Sequence, residues 1–146
     1  SSPSSGRPTV GRVGRRGPED AAVTARPRVL VVDDSAFMRS RIVRDVTAAG
    51  MEVVAEGRSG EEGAELYERF RPDVVTMDLT MRGQDGLAAT AAIVKADPRA
   101  RIVLFSIVND PELVGRALEA GVSRFVHKSR PAELVAALRE LSGGAA

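Results

Sequence analysis

The chain has 146 residues, 43% of them hydrophobic and 28% charged, with a net charge of +1 and no cysteine. That length supports one domain with a substantial core, and the composition excludes global disorder, a disulfide framework and thiolate chemistry. No apolar run approaches the roughly 20 residues of a membrane span, and the N-terminal region lacks an apolar signal-peptide core, so a cytoplasmic protein is expected.

Residues 1–28 carry six arginines (Arg7, Arg12, Arg15, Arg16, Arg26, Arg28) against two acids (Glu19, Asp20), a net +4, while the remainder carries 15 basic and 18 acidic residues. This stretch has no Leu, Ile, Phe or Met, so it cannot bury enough apolar area to offset its ordering entropy. It reads as a flexible basic tail. The arginines are scattered and no aromatic residue joins them, which favours an inert extension over an arm for nucleic acid or an acidic partner.

From Val29 onward, short apolar runs alternate with helical patterns. Val29–Val32 reads as a strand running into Asp33 and Asp34. Ser35 opens a helix with Met38, Ile42, Val46 and Ala49 on one face, and Gly50 stops it. Met51–Ala55 is a second strand. "SGEE" at Ser59–Glu62 fits a capping box for a helix through Leu66 and Phe70, which Pro72 ends. Asp73–Met77 is a third strand, terminating in Asp78. A loop over Leu79–Gly86 precedes a helix over Leu87–Ala96. Arg101–Phe105 is a fourth strand, ending in Ser106. Asp110 caps a helix with Pro111 at its first position and Gly121 at its end. Val122–His127 is a fifth strand, ending in Lys128, and a last helix runs from Pro131 to about Leu141. Residues 142–146 are expected to fray, leaving 29–141 as the domain.

Five strand–helix units in strict alternation predict an α/β fold: a doubly wound five-stranded parallel sheet with helices on both faces. Ligands of such sheets bind beyond the carboxyl ends of the strands. Those ends carry Asp33, Asp34, Asp78, Ser106 and Lys128. Any one of them alone is more often a cap, a turn former or a solvated side chain. Together, with an outlying second strand, they place three carboxylates, a hydroxyl and an ammonium in one crevice. Two carboxylates about 4 Å apart repel by roughly 4 kcal/mol at an effective dielectric near 20, so such a cluster calls for a cation. Oxygen ligands without His or Cys suit Mg²⁺, with Mn²⁺ as a second option. A Lys and a Ser facing that ion suit a transferring phosphoryl group, and one carboxylate can act as nucleophile to form an acyl phosphate.

"VLVVDDSAFMR", "PDVVTMDLTM…DG" and "AGVSRFVHKS" resemble the receiver domain of two-component response regulators, nearest in kind to single-domain chemotaxis regulators and chemotaxis methylesterase receivers. The resemblance spans Arg28 to about Leu141 and implies the flavodoxin-like strand order 2-1-3-4-5. It implies Asp78 as phosphoacceptor, and Mg²⁺ on Asp34 and Asp78 directly, on Asp33 through water and on the Thr80 carbonyl. Ser106 and Lys128 would bind the phosphoryl group, with Phe125 as the aromatic that changes rotamer. The donor would be a histidine kinase or phosphotransfer protein. The output would be a conformational shift read by a protein target on the face of the fourth helix, fifth strand and fifth helix. Phe37 and Met38 are candidates for either kinase contact or core packing. No DNA-binding domain is expected in this chain, and no enzymatic activity beyond its own phosphotransfer and slow autodephosphorylation.

The departures from the family pattern are specific. Arg82 stands where a proline usually follows the acceptor by four residues. Ser129 follows the lysine in place of proline; a cis bond there costs about 2.5–4 kcal/mol without proline, so either that strain is carried or Lys128 approaches differently. Val108, two past the hydroxyl, cannot hold an attacking water, so a long-lived phosphoryl form is expected. An aspartyl-phosphate hydrolase would need a second Asp where Thr80 stands. A nucleotide-binding fold would need a Gly-rich phosphate loop, which is absent. The remaining alternative is a receiver-like interaction module that works without phosphate.

Overall fold

The computed structural model describes residues 26–79, 85–107 and 110–142. The expected basic tail up to residue 25, Thr80, Arg82, Val108 and the last four residues lie outside them. In chain order the elements are β1 (Arg28–Val32), α1 (Ala36–Ala48), β2 (Glu52–Gly57), α2 (Gly60–Phe70), β3 (Val74–Met77), α3 (Asp85–Ala96), β4 (Ile102–Ser106), α4 (Pro111–Glu119), β5 (Arg124–His127) and α5 (Pro131–Leu141). The strands form one parallel sheet in the order β2-β1-β3-β4-β5, the flavodoxin-like order expected.

Boundaries differ from the expected ones by a residue or two. Ser106 is the last residue of β4 and not the residue after it, because it pairs with His127 in the ladder. The third helix starts at Asp85, two residues before its first apolar position. β5 starts at Arg124, although Ser123 N–H already donates to the Ile102 carbonyl at 2.8 Å.

Both sheet faces are covered, which is why the strands read as unbroken apolar runs. On one face Leu30, Val32, Val75, Met77 and Leu104 pack with Tyr67 of α2, Ile93 of α3 and Ala117 of α4. On the other, Val29, Val31, Val103, Phe105 and Val126 meet Ile42 and Val46 of α1 and Leu134 and Leu138 of α5. Met38 packs against this second cluster, whereas Phe37 is 70% exposed.

Side-chain caps fix the starts of α1, α2 and α4. Ser35 Oγ accepts from Met38 N–H, and Ser59 Oγ accepts from Glu62 N–H. The reciprocal arm of that second cap goes to Arg58 N–H, which donates to Glu62 Oε1 at 2.7 Å. Asp110 caps α4 ahead of Pro111, accepting from Glu112 N–H. α2 ends at Arg71 in a left-handed conformation with φ 47°, unusual for a residue with a Cβ. Its guanidinium bonds Asp97 at 3.2 Å, and Asp97 also accepts from the Tyr67 hydroxyl at 2.7 Å, tying α2 to the end of α3.

At the amino end of the sheet, Arg28 N–H donates to Asp73 Oδ2 at 2.9 Å and its guanidinium to the Arg71 carbonyl at 3.0 Å. The Pro27 carbonyl accepts from Glu52 N–H. Arg101 reaches the Leu141 carbonyl. The amino pole is thus stitched by charged side chains to backbone, and the carboxyl pole is left for a different purpose.

Candidate functional site

Three residues just past the strands are held by a neighbouring strand. Asp33 N–H donates to the Gly57 carbonyl at 3.0 Å, Asp78 N–H to Val32 at 3.0 Å and Lys128 N–H to Ser106 at 2.9 Å. The parallel ladder therefore runs one residue beyond β1, β3 and β5. It aims Asp33, Asp78 and Lys128 out of the same edge.

Asp33, Asp34 and Asp78 each offer a carboxylate oxygen, and these atoms lie within 4.8 Å of one another. Asp33 and Asp78 are 1% and 3% exposed, while Asp34 faces solvent. Lys128 Nζ lies 2.9 Å from Asp33 Oδ2 and 3.4 Å from Asp78 Oδ2. Ser106, fully buried, completes the edge at the end of β4. Phe125 is half-buried in β5 and packs against the core on the α2–α4 face. The Lys128–Ser129 bond is trans, as is every peptide bond among the described residues. Lys128 therefore reaches the carboxylates without the cis bond considered above.

Burial is the largest influence on Asp33 and raises its pKa; the Asp78 charge adds to this. The Ser35 N–H, which donates to Asp33 Oδ1 at 2.9 Å, and the Lys128 ammonium oppose it. Three carboxylates with oxygens within 4.8 Å of one another repel by at least about 3 kcal/mol per pair at an effective dielectric near 20. One ammonium leaves a formal excess of two negative charges, which a divalent cation would match. The donor set is all oxygen: the sole histidine, His127, turns its ring to Ile107 and Ser129. Such a set suits a hard ion that keeps some of its water, as Mg²⁺ does.

Two contributors to the site had gone unread in the sequence. Arg39, one turn into α1, donates to the Asp33 carbonyl at 2.6 Å and pairs with Glu56 at 3.5 Å. It pins the bend between β1 and α1 that presents the acid pair. Gly86 brings the start of α3 against Asp78: a Cβ there would stand 2.1 Å from the Asp78 carbonyl oxygen and 2.9 Å from Leu79 Cα. The "DG" pair in the loop-to-helix boundary was the available signal for a close backbone approach.

The response regulator receiver domain family matches residues 29–139. The chain belongs to that family. It is 41% identical over 116 residues to the chemotaxis protein CheY of Thermotoga maritima, a match covering 79% of this chain and 97% of the relative. The response regulator domain of Thermotoga maritima CheB superposes with a TM-score of 0.72 at 30% identity, covering 81% of this chain and 97% of that one. The CheX–CheY–BeF3–Mg²⁺ complex of Borrelia burgdorferi contains a chain with a TM-score of 0.73 at 28% identity, covering 78% and 87%. This receiver is thus homologous to CheY and CheB receivers, as phosphorylation-activated regulators of two-component systems are, and the phosphate-independent module is not favoured. Among the described residues no helix is long and apolar enough to cross a membrane.

Proposed function

We propose that Asp78 is the phosphoacceptor of this receiver and that a histidine kinase or a phosphotransfer protein is its donor. The observation that carries this reading is the pairing of one ammonium, Lys128, with two buried carboxylates beside a third, exposed one. An Asp78 carboxylate oxygen attacks the phosphorus of a phosphohistidine; the P–N bond breaks and its electron pair leaves on the imidazole. The product is an acyl phosphate, later opened by water to restore the carboxylate.

Asp34, Asp78, the Thr80 carbonyl and, through water, Asp33 would hold Mg²⁺, which would supply charge neutralisation of the transferring group. Mn²⁺ suits the same oxygens. Lys128 then shifts from Asp78 to a phosphoryl oxygen, and Ser106 donates its hydroxyl to another. The Ser106 movement passes to Phe125 on β5, and the output is a population shift read by a protein partner on α4, β5 and α5. Leu118, exposed, belongs to α4, and exposed Phe37 is offered to the donor protein. The receiver unit is residues 29–141, acting in the cytoplasm, with no catalytic activity beyond its own phosphotransfer and dephosphorylation.

The test is incubation with a small acyl phosphate, with and without Mg²⁺, followed by intact mass. The native protein gains one phosphoryl group only with Mg²⁺, and Asp78→Asn gains none. No gain by the native protein under any condition refutes the assignment.

A further inference from the structure

His127 is the only histidine in the chain, and it ends β5 opposite Ser106. Its half-buried ring is tied in two directions. Nδ1 lies 2.8 Å from Ser129 Oγ and 3.1 Å from the Ser129 backbone nitrogen, and Nε2 lies 3.1 Å from the Ile107 carbonyl oxygen. A backbone N–H only donates and a carbonyl only accepts. The partners therefore assign one form of the ring: neutral, with Nδ1 bare and the proton on Nε2.

That form spans two connections. On one side is the β5–α5 turn that carries Lys128. On the other is the start of the β4–α4 connection, one residue past Ser106. Ile107 is 66% exposed, so its side chain does little to anchor this backbone. The ring itself is fixed by the strand and by Ser129. Ser106 and Ile107 are consecutive, so a movement of Ser106 toward a phosphoryl group on Asp78 would carry the Ile107 carbonyl with it, while the ring is tied to Ser129.

We propose that His127 is a positioning residue for phosphotransfer: its Nε2–H tie to Ile107 holds Ser106 in the resting arrangement, and so sets how readily the site closes on the phosphoryl group. The inference rests on the reading of Asp78 and Ser106 above. A hydrogen bond made in only one of two states biases them by roughly threefold to tenfold. Two variants separate the two ties. The Gln amide nitrogen of His127→Gln can replace Nε2 and keep the bond to Ile107. Asn in His127→Asn is shorter; its oxygen can replace Nδ1 toward Ser129, but the side chain does not reach Ile107.

The first measurement is a long-range ¹H–¹⁵N spectrum of the unphosphorylated protein at neutral pH. It is expected to show protonated Nε2 and bare Nδ1; the opposite tautomer or an imidazolium overturns the proposal and leaves the role of Asp78 untouched. The second is the rate of phosphorylation by a small acyl phosphate at saturating Mg²⁺. His127→Asn is expected to react about threefold to tenfold faster than native, and His127→Gln within twofold of it. An Asn variant no faster than native, or a Gln variant that behaves like Asn, overturns the proposal. A native protein that takes no phosphoryl group at all overturns both this proposal and the assignment of Asp78.

Discussion

Replacing Lys128 with methionine tests the charge balance of the acidic edge directly. Methionine keeps much of the buried stem and deletes the ammonium. The two salt bridges, at 2.9 and 3.4 Å, correspond to gross attractions of about 5–6 kcal/mol each at an effective dielectric near 20. The variant also avoids desolvating the ammonium, which offsets much of that. Removing one partner of a buried pair leaves a net cost of about 3–5 kcal/mol. For a domain of this size, each kcal/mol moves the midpoint by roughly 3–6 °C, so the metal-free variant melts on the order of 10–20 °C lower. Mg²⁺ then binds without a competing cation, so its stabilisation is larger in the variant, and millimolar Mg²⁺ closes part of the gap. The deficit also shrinks in acid. Asp33 has a raised pKa, so its protonated form favours the fold at low pH, a contribution lost as pH rises through the folded value. Thermal melts with and without Mg²⁺, at neutral and acidic pH, read all three effects. A metal-free variant within a few degrees of native, or equal Mg²⁺ stabilisation of both proteins, refutes the reasoning.

Tyr67, the only tyrosine, has its phenol pushed up to about 12, first by burial and then by the Asp97 carboxylate it donates to. Absorbance titration should find no phenolate near the ordinary value of about 10, and Asp97→Asn should lower the midpoint only partway. The same bond lowers the pKa of Asp97, so its contribution to stability is present above the unfolded carboxyl value and is lost as pH falls through the folded one. Among the described residues Thr90 Oγ1 is buried without a hydrogen-bond partner, so Thr90→Val should stabilise by about 1 kcal/mol, seen as a higher urea midpoint at unchanged slope. Gly86→Ala normally favours a helix by about 1 kcal/mol, but here the backbone contact reverses the sign to a loss of about 1–3 kcal/mol, with slower phosphorylation; a more stable variant contradicts the close approach. The phosphoryl form should persist for minutes or longer in the absence of a partner, because Val108 offers no hydrogen bond to an attacking water; decay within seconds contradicts this.

The sheet was legible because both its faces are buried, which writes each strand as an apolar run ending in a polar residue. Asp33, Asp78 and Lys128 could be placed from that pattern alone, since the ladder that holds them is an extension of the strands. Ser106 was misplaced by one position because a buried serine pairs in a ladder as well as valine does. Arg39 was not legible: an arginine six residues past Asp33 looks like solvated helix surface, and only the tight β1–α1 bend turns it back onto the Asp33 carbonyl. The Tyr67–Asp97 tie joins residues whose proximity is set by the packing of α2 on α3, which no local pattern records. His127 was read as a strand end, because its partners are two backbone groups and a serine that the turn geometry brings together.

The clasp of Arg28 on Asp73 and Arg71 fixes where the chain enters the fold. Five strand residues at about 3.3 Å each separate that entry from Asp33. A fluorophore, surface tether or fusion partner joined ahead of Arg28 therefore starts roughly 17 Å from the acidic edge, at the opposite pole of the sheet. Such an attachment leaves the carboxyl pole open to a docking donor protein, which makes the amino side the place to immobilise this receiver when its phosphorylation is to be followed on a surface.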